Sequence, residues 1–198
     1  MLVASLLVAV VVIAIFAWTQ RPDANSAANA DDNAAVDARL TDPGAVVTFP
    51  NDGLGNRDVA GDPLPDAVLV ATDGSEVNLA DMVGEPLVVN LWYTTCPPCA
   101  KELPEFATVD AETDDVRFIG VNTVDSLEAM ERFAGERGVE YDLFRDGRAE
   151  LVDGIGATAF PITLFVTSDG TIVEQTGALD ADELRTKIGN LLAIDQAA

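Results

Sequence analysis

The chain has 198 residues, 48% of them hydrophobic, which is enough to bury the core of one ordinary domain with further segments attached. Its 34 acidic and 11 basic residues give a formal net charge of −23, which argues against partners such as nucleic acid or anionic lipid. Histidine is absent, which excludes Ser–His and Cys–His catalytic pairs, and two cysteines alone cannot complete a four-ligand zinc site. We therefore expect neither a metal nor another cofactor.

An apolar segment opens the chain. Residues 2–18 form a nearly unbroken hydrophobic run, close to the lower limit for a helix that spans a bilayer. No Lys or Arg precedes the run and no small-residue cleavage site follows it closely, so the pattern favours an uncleaved signal-anchor over a cleaved signal peptide. We expect a single-pass transmembrane anchor at residues 1–20. Arg21 is the only basic residue beside it, and one charge does not set the orientation.

The next segment, residues 21–62, is rich in Ala, Asp, Asn, Gly and Pro and has no sustained periodicity. Such a segment cannot bury enough apolar surface to offset its chain entropy. We therefore expect a flexible acidic tether over 21–62. The third predicted segment is a folded domain over 63–198.

Hydrophobic periodicity predicts alternating strands and helices in that domain. The predicted strands are 67–71, 76–79, 86–91, 116–122, 141–144, 162–167 and 171–176. The predicted helices and helical turns are 79–83, 100–111, 126–137, 149–154 and 180–193. A βαβ alternation followed by ββα indicates an α/β fold with a central mixed sheet and helices on both faces.

Cys96 and Cys99 are the only cysteines and lie at a predicted strand-to-helix junction. Backbone N–H groups and the positive end of the helix dipole favour a thiolate there. Two thiols at this spacing can close a disulfide and reopen it by exchange. We expect Cys96 to be the exposed attacking thiolate and Cys99, more buried, to resolve the mixed disulfide. The alternatives are a structural disulfide and half of a metal site.

Pro97 and Pro98 separate the two cysteines. Neither has an N–H group, which costs little at the first helical positions because those groups have no helical partner. Pro98 would withdraw a donor from the Cys96 thiolate and so tune the redox potential. Rigidity of the turn is an equally good reason for both prolines.

Three motifs carry a resemblance to a known family. They are Val88–Trp92 leading into Cys96–Cys99 with Pro104 beyond, then Phe160–Phe165, then Gly177–Leu179. In this order and spacing they resemble the thioredoxin superfamily and, within it, the TlpA/ResA-type reductases. The Asp73-Gly74 hairpin resembles the N-terminal addition that those proteins share with peroxiredoxins. The resemblance covers about residues 63–192 and implies a thioredoxin-like three-layer fold with an added N-terminal β-hairpin.

The resemblance also implies roles for individual residues. Pro161 is expected to follow a cis peptide bond that turns the Phe160 backbone toward the disulfide, where a substrate strand can pair with it. Trp92 is expected mainly in the core beneath the site, with substrate contact as its second role. Thr95 belongs to the substrate-contact surface and stands where thioredoxins carry Trp.

One departure concerns proton transfer. Asn90 stands where thioredoxins carry a buried Asp, so the usual proton acceptor for the second thiol is missing. Glu102, three residues after Cys99, shares its helix face and resembles the acidic residue of ResA-type sites. We predict that Glu102 accepts the Cys99 proton, and the alternative is an ordinary solvated carboxylate.

As a function, the resemblance implies a membrane-tethered reductase of protein disulfides, for example in cytochrome c maturation. We expect a monomer in the cell membrane, with its catalytic domain on the extracytoplasmic side and an upstream thiol donor. The alternatives are a disulfide-forming oxidase, a thiol peroxidase and a tethered binding module with an inert disulfide. Val89 and Tyr93 occupy places where peroxiredoxins need other residues, which argues against the peroxidase.

Overall fold

The computed structural model describes residues 55–197. The predicted anchor and most of the predicted tether lie outside the described residues. Within residues 55–197, no helix combines the length and the apolar character needed to cross a bilayer.

The described chain alternates strands and helices in the predicted order. The strands are β1 (Val68–Ala71), β2 (Glu76–Asn78), β3 (Leu87–Trp92), β4 (Arg117–Asn122), β5 (Asp142–Arg145), β6 (Ile162–Val166) and β7 (Ile172–Thr176). The α-helices are α1 (Pro97–Asp110), α2 (Leu127–Gly135), α3 (Glu150–Ile155) and α4 (Ala181–Asp195), and a 3₁₀-helix covers Leu79–Met82.

All seven strands form one mixed sheet in the order β2-β1-β5-β4-β3-β6-β7. Strand β3 pairs parallel with β4 and antiparallel with β6, and β4 pairs parallel with β5. The hairpin of β1 and β2 extends the sheet by antiparallel pairing of β1 with β5. The central strand β3 is buried along its whole length, which explains its nearly continuous apolar sequence.

Alternating side chains of β3 enter two separate cores. Val88 and Trp92 pack with helices α1, α2 and α4 on one face of the sheet. Leu87, Val89 and Leu91 pack with α3 and the 3₁₀-helix on the other face. This period of two places helices on both faces, which confirms the predicted three-layer architecture.

Helix α1 begins earlier than predicted, at Pro97 rather than Ala100. The physical reason is that proline, with its fixed φ and missing N–H, fits the first two helical positions. Pro104 lies inside the helix, which nevertheless continues to Asp110.

The residues just before the predicted domain are part of its core. Val59 is 1% exposed and belongs to the core on the α3 face. The N–H of Gly61 donates to the carbonyl of Ile172, and the N–H of Ile172 donates to that of Asp62. The predicted tether end at residue 62 is therefore wrong, because one buried valine and these hydrogen bonds hold the segment on the sheet.

Candidate active site

Cys96 and Cys99 form a disulfide at the N-terminus of α1. Cys96 is the N-cap residue, Cys99 lies in the first helical turn, and their Cα atoms are 5.2 Å apart. The N–H of Cys99 points at Sγ of Cys96 over 3.3 Å. The pair thus lies at the strand-to-helix junction predicted from the sequence.

The two prolines determine which donors reach the sulfur. Pro97 and Pro98 occupy the first two positions of α1 and supply no N–H. The N–H of Ala100 donates to the carbonyl of Cys96 over 3.0 Å. In the first turn, the Cys99 N–H is therefore the one backbone donor within reach of Sγ of Cys96.

Cys96 is less accessible than predicted. Its exposure is 3% and that of Cys99 is 0%, whereas Thr95, Pro97 and Pro98 around them are exposed. The prediction of an exposed Cys96 is wrong for the disulfide form, because the bond to Cys99 holds its sulfur against the first turn of the helix. The disulfide lies just beneath a rim of three exposed residues.

Glu102 is a buried carboxyl on the same helix, with 2% exposure. Its Oε1 accepts a hydrogen bond from Nδ2 of Asn90 over 2.9 Å, and its Oε2 accepts one from the N–H of Leu179 over 3.2 Å. Burial raises the pKa of Glu102 to about 7, although the two hydrogen bonds act in the opposite direction. The alternative of a solvated carboxylate is wrong. A carboxyl with this pKa exchanges a proton near neutral pH.

Asn90 is a hydrogen-bond donor at this site. Its Nδ2 donates to Oγ1 of Thr163 over 3.2 Å as well as to Glu102. Among the described residues, Oδ1 of Asn90 is buried without a hydrogen-bond partner. The missing strand carboxylate is thus replaced by an amide that holds a carboxylate from the helix. Thr163 and Leu179 lie in two of the motifs that carry the resemblance, but neither motif predicts their hydrogen bonds to Asn90 and Glu102.

A surface cavity of about 280 Å³ leads to this carboxyl. It is lined by residues of α1, of the segment just before α4 and of the first turn of α4, among them Pro98, Lys101, Glu102, Leu179 and Glu183. Solvent can therefore approach Glu102 from the side of the molecule that carries Pro98. This gives the buried carboxyl a route for exchanging protons with water.

The Phe160–Pro161 peptide bond is cis, the isomer that the resemblance implies. The ring of Phe160 meets the ring of Tyr93 edge-on, with 5.5 Å between centroids. The carbonyl of Tyr93 in turn accepts from the N–H of Cys96 over 3.2 Å. The loop before β6 and the loop before α1 are therefore in direct contact beside the disulfide.

Of the two other predicted substrate-contact residues, Trp92 is buried in the core and Thr95 is exposed at the surface. Trp92 is fully buried and stacks on Phe133 of α2, with ring centroids 5.8 Å apart. Its predicted second role in substrate contact is wrong, because the alternation of β3 turns it into the core. Thr95 is exposed beside Cys96, as a substrate-contact residue must be.

Asp125 holds the loop before Cys96, and no motif in the sequence marks it. Its Oδ2 accepts from the N–H of Thr94 over 2.8 Å, and its Oδ1 accepts from the Thr94 hydroxyl over 2.6 Å. Asn122 also donates to Oδ2 over 2.8 Å. Partial burial raises the pKa of Asp125, but the hydrogen bonds outweigh it and hold the pKa below its usual value. The parallel pairing of β3 and β4 is the signal that would have placed these two loops together.

Sequence comparison identifies relatives over the described domain. Residues 59–187 match the Redoxin family. The chain is 28% identical over 116 residues to "Thiol-disulfide oxidoreductase ResA" of Bacillus subtilis, covering 58% of this chain and 65% of that protein, slightly under two thirds. It is 27% identical over 137 residues to the ResA protein of Halalkalibacterium halodurans, covering 67% of this chain and 78% of that one.

Comparison with solved structures agrees with the sequence matches. A structure described as MTB dsbF in its mixed oxidized and reduced forms superposes with a TM-score of 0.60 and 26% sequence identity. The match covers 65% of this chain and 96% of the other. Together with the sheet order and the position of the disulfide, it confirms the predicted thioredoxin-like fold.

Proposed function

The chain belongs to the Redoxin family, and we propose that it is a membrane-tethered thiol–disulfide oxidoreductase that reduces protein disulfides outside the cytoplasm. One observation carries the chemistry: a disulfide closes the N-terminus of α1 while Glu102 lies buried on the same helix, three residues after Cys99. The sulfur pair supplies two exchangeable electrons and the carboxyl supplies a proton acceptor. Its relatives named ResA are thiol-disulfide oxidoreductases.

The first step consumes the substrate disulfide. In the reduced enzyme, the Cys96 thiolate attacks one sulfur of that disulfide and the substrate S–S bond breaks. A mixed disulfide forms between Cys96 and the substrate, and the departing substrate sulfur leaves as a thiolate that takes a proton from water. The Cys99 N–H stabilises the Cys96 thiolate before attack, because it lies within 3.3 Å of Sγ in the oxidised state.

The second step releases the substrate. The Cys99 thiol gives its proton to the Glu102 carboxylate, and the resulting thiolate attacks Sγ of Cys96. The mixed disulfide breaks, the second substrate sulfur leaves as a thiolate, and the Cys96–Cys99 disulfide forms. The substrate has gained two electrons, and an upstream dithiol returns the enzyme to its reduced state by the same exchange in reverse.

The substrate in this proposal is a polypeptide. The cis-proline loop provides backbone beside the disulfide, and Thr95, Pro97 and Pro98 form an exposed rim around it. An apocytochrome c thiol pair oxidised to a disulfide is a substrate class that the TlpA/ResA resemblance implies. The net charge of −23 favours a basic partner over an acidic one.

The location is part of the same proposal. The hydrophobic run at residues 2–18 supports an anchor in the cell membrane. The absence of any cysteine besides the active pair suits a compartment in which stray thiols would mispair. A tether would also serve little purpose for a diffusible cytosolic reductant. These observations favour a domain held on the extracytoplasmic side.

The test is a redox titration of the full chain in glutathione or dithiothreitol buffers, followed by an insulin reduction assay. A reductase should have a potential near that of thioredoxin, about −270 mV, whereas an oxidase should lie near about −120 mV. The C96S variant should lose insulin reduction completely. A potential close to the oxidase value, or an active C96S variant, would contradict the proposal.

A further inference from the structure

Asn56 contacts the loop that carries the cis-proline, although more than a hundred residues separate them. Its Oδ1 accepts from the N–H of Thr158 over 2.7 Å and from the N–H of Ala159 over 2.8 Å. Its Nδ2 donates to the carbonyl of Ala159 over 2.9 Å. One side chain thus satisfies three polar groups of the backbone of two adjacent loop residues.

The loop has little other support of this kind. Within residues 55–197, no backbone–backbone hydrogen bond involves residues 158–160, which connect the turn after α3 to β6. Thr158 and Ala159 are exposed, so packing does not fix them either. The conformation of this stretch therefore depends on Asn56 to an unusual degree.

The segment that carries Asn56 is itself firmly attached. The guanidinium of Arg57 donates to the carbonyl of Gly154 over 3.1 Å and pairs with Asp62 over 2.7 Å. Val59 is buried in the core on the α3 face. Asn56 is thus presented from a fixed base, and the loop is ordered by contact with it.

The loop continues into the substrate side of the disulfide. Ala159 immediately precedes Phe160, whose ring contacts Tyr93, and the Tyr93 carbonyl accepts from the N–H of Cys96. An uninterrupted series of contacts therefore joins Asn56 to the reactive pair. We propose that Asn56 is a positioning residue that holds the cis-proline loop ready to receive a polypeptide substrate. This inference rests on the proposed function.

The exposure of the loop determines what removal of Asn56 does. Water can replace the lost hydrogen bonds at exposed Thr158 and Ala159, so the effect on folding should be small. The loop must then be ordered at the moment a polypeptide binds, which weakens binding. A small disulfide needs only the sulfur of Cys96 and no loop backbone, so its reaction should not change. This difference separates a positioning role from a merely structural one.

The test compares two substrates in single-turnover reactions of the pre-reduced full chain. Insulin supplies a polypeptide disulfide, and 5,5′-dithiobis(2-nitrobenzoic acid) supplies a small one. N56A should lower the rate constant for insulin about tenfold and leave that for the small disulfide unchanged. N56D keeps the acceptor for both N–H groups and should fall between N56A and wild type.

D58A is the matched control, because Asp58 lies in the same segment but caps only the N–H of Ala60. It should react with both substrates as wild type does. Equal rates for N56A and wild type with insulin, or an equal loss with both substrates, would overturn the inference. Failure of the proposed function looks different: C96S would then match wild type with both substrates, and the inference would fall with it.

Discussion

Asn90 donates a hydrogen bond to Glu102 over 2.9 Å, and both side chains are buried beside the disulfide helix. The strand position that carries a carboxylate in thioredoxins here carries the donor, and the carboxyl comes from the helix. The carboxyl that we propose as the proton acceptor thus lies on α1 rather than on β3, and it remains in the interior.

The first prediction concerns stability and pH. The pKa of Glu102 rises from 4.5 to about 7 on folding, so between these values the folded chain binds more protons than the unfolded chain. Its free energy of unfolding should therefore fall as pH rises through this window. E102Q carries no charge at this position at any pH in that range. As pH rises from about 4 to about 8, its free energy of unfolding should therefore increase relative to that of wild type by up to about 3 kcal/mol. Urea unfolding at both pH values measures this, and a difference that does not change with pH would contradict it.

The second prediction concerns the release step. Glu102 accepts the Cys99 proton only when ionised, so release of substrate from the mixed disulfide should accelerate as pH rises through about 7. In E102Q this step should be about 100-fold slower and should lose that inflection. Stopped-flow measurement of release across the pH range provides the test. An unchanged inflection in E102Q would assign the proton to another group.

The third prediction replaces the buried amide by an acid. N90D places a second carboxyl within hydrogen-bond distance of Glu102, and two adjacent carboxylates resist joint ionisation. The variant should be about 2 kcal/mol or more less stable than wild type at pH 8, and nearer to wild type at about pH 5. N90A is the control, because it removes the hydrogen bond without adding charge. If N90D and N90A changed in parallel with pH, charge repulsion would not be the cause.

The fourth prediction concerns the loop before Cys96. D125A leaves the N–H and the hydroxyl of Thr94 without their acceptor and should cost about 2 kcal/mol at neutral pH. The folded-state pKa of Asp125 lies below its usual value, so this contribution is present above about pH 4 and lost as pH falls below it. Denaturant unfolding of D125A and wild type at one pH above and one pH below about 4 measures the difference in free energy of unfolding. E128A removes an exposed carboxylate of α2 with one weak partner and should have almost no effect.

The fifth prediction concerns Pro98. P98A restores an N–H at the second position of α1, beside the Cys99 N–H that already points at Sγ of Cys96. A second donor stabilises the thiolate and hence the reduced state, so the reduction potential should rise by about 10–20 mV. Titration in glutathione buffers measures the change. P104A, deeper in the same helix, should leave the potential unaltered, and an unaltered potential in P98A would leave rigidity of the turn as its role.

The sequence was sufficient for the architecture because periodicity reports burial directly. The alternation that sends Val88 and Leu87 to opposite cores is visible in the printed chain, and so is the junction that holds Cys96. Hydrogen bonds between distant segments leave no such pattern. The contact between Asn56 and Ala159 joins residues that no local rule relates.

The same limit explains one question that the sequence leaves open, the burial of Glu102, and one wrong prediction, the exposure of Cys96. Three-residue spacing from Cys99 puts Glu102 on the same helix face, but only the contacts with β3 and with the segment before α4 decide that Glu102 is buried. Cys96 is expected to be exposed as the attacking thiolate, whereas in the disulfide form only 3% of it is exposed. Burial of a polar group depends on its tertiary neighbours, which sequence spacing does not report.

The proposed mechanism depends most on the separate roles of the two sulfurs, with Cys96 attacking the substrate and Cys99 releasing it. The direct measurement is mass spectrometry of the pre-reduced C99S and C96S variants after each is mixed with insulin. C99S should accumulate a mixed disulfide with an insulin chain on Cys96, and C96S should accumulate none. An adduct on Cys99 in C96S that forms as fast as the one on Cys96 in C99S would contradict the account.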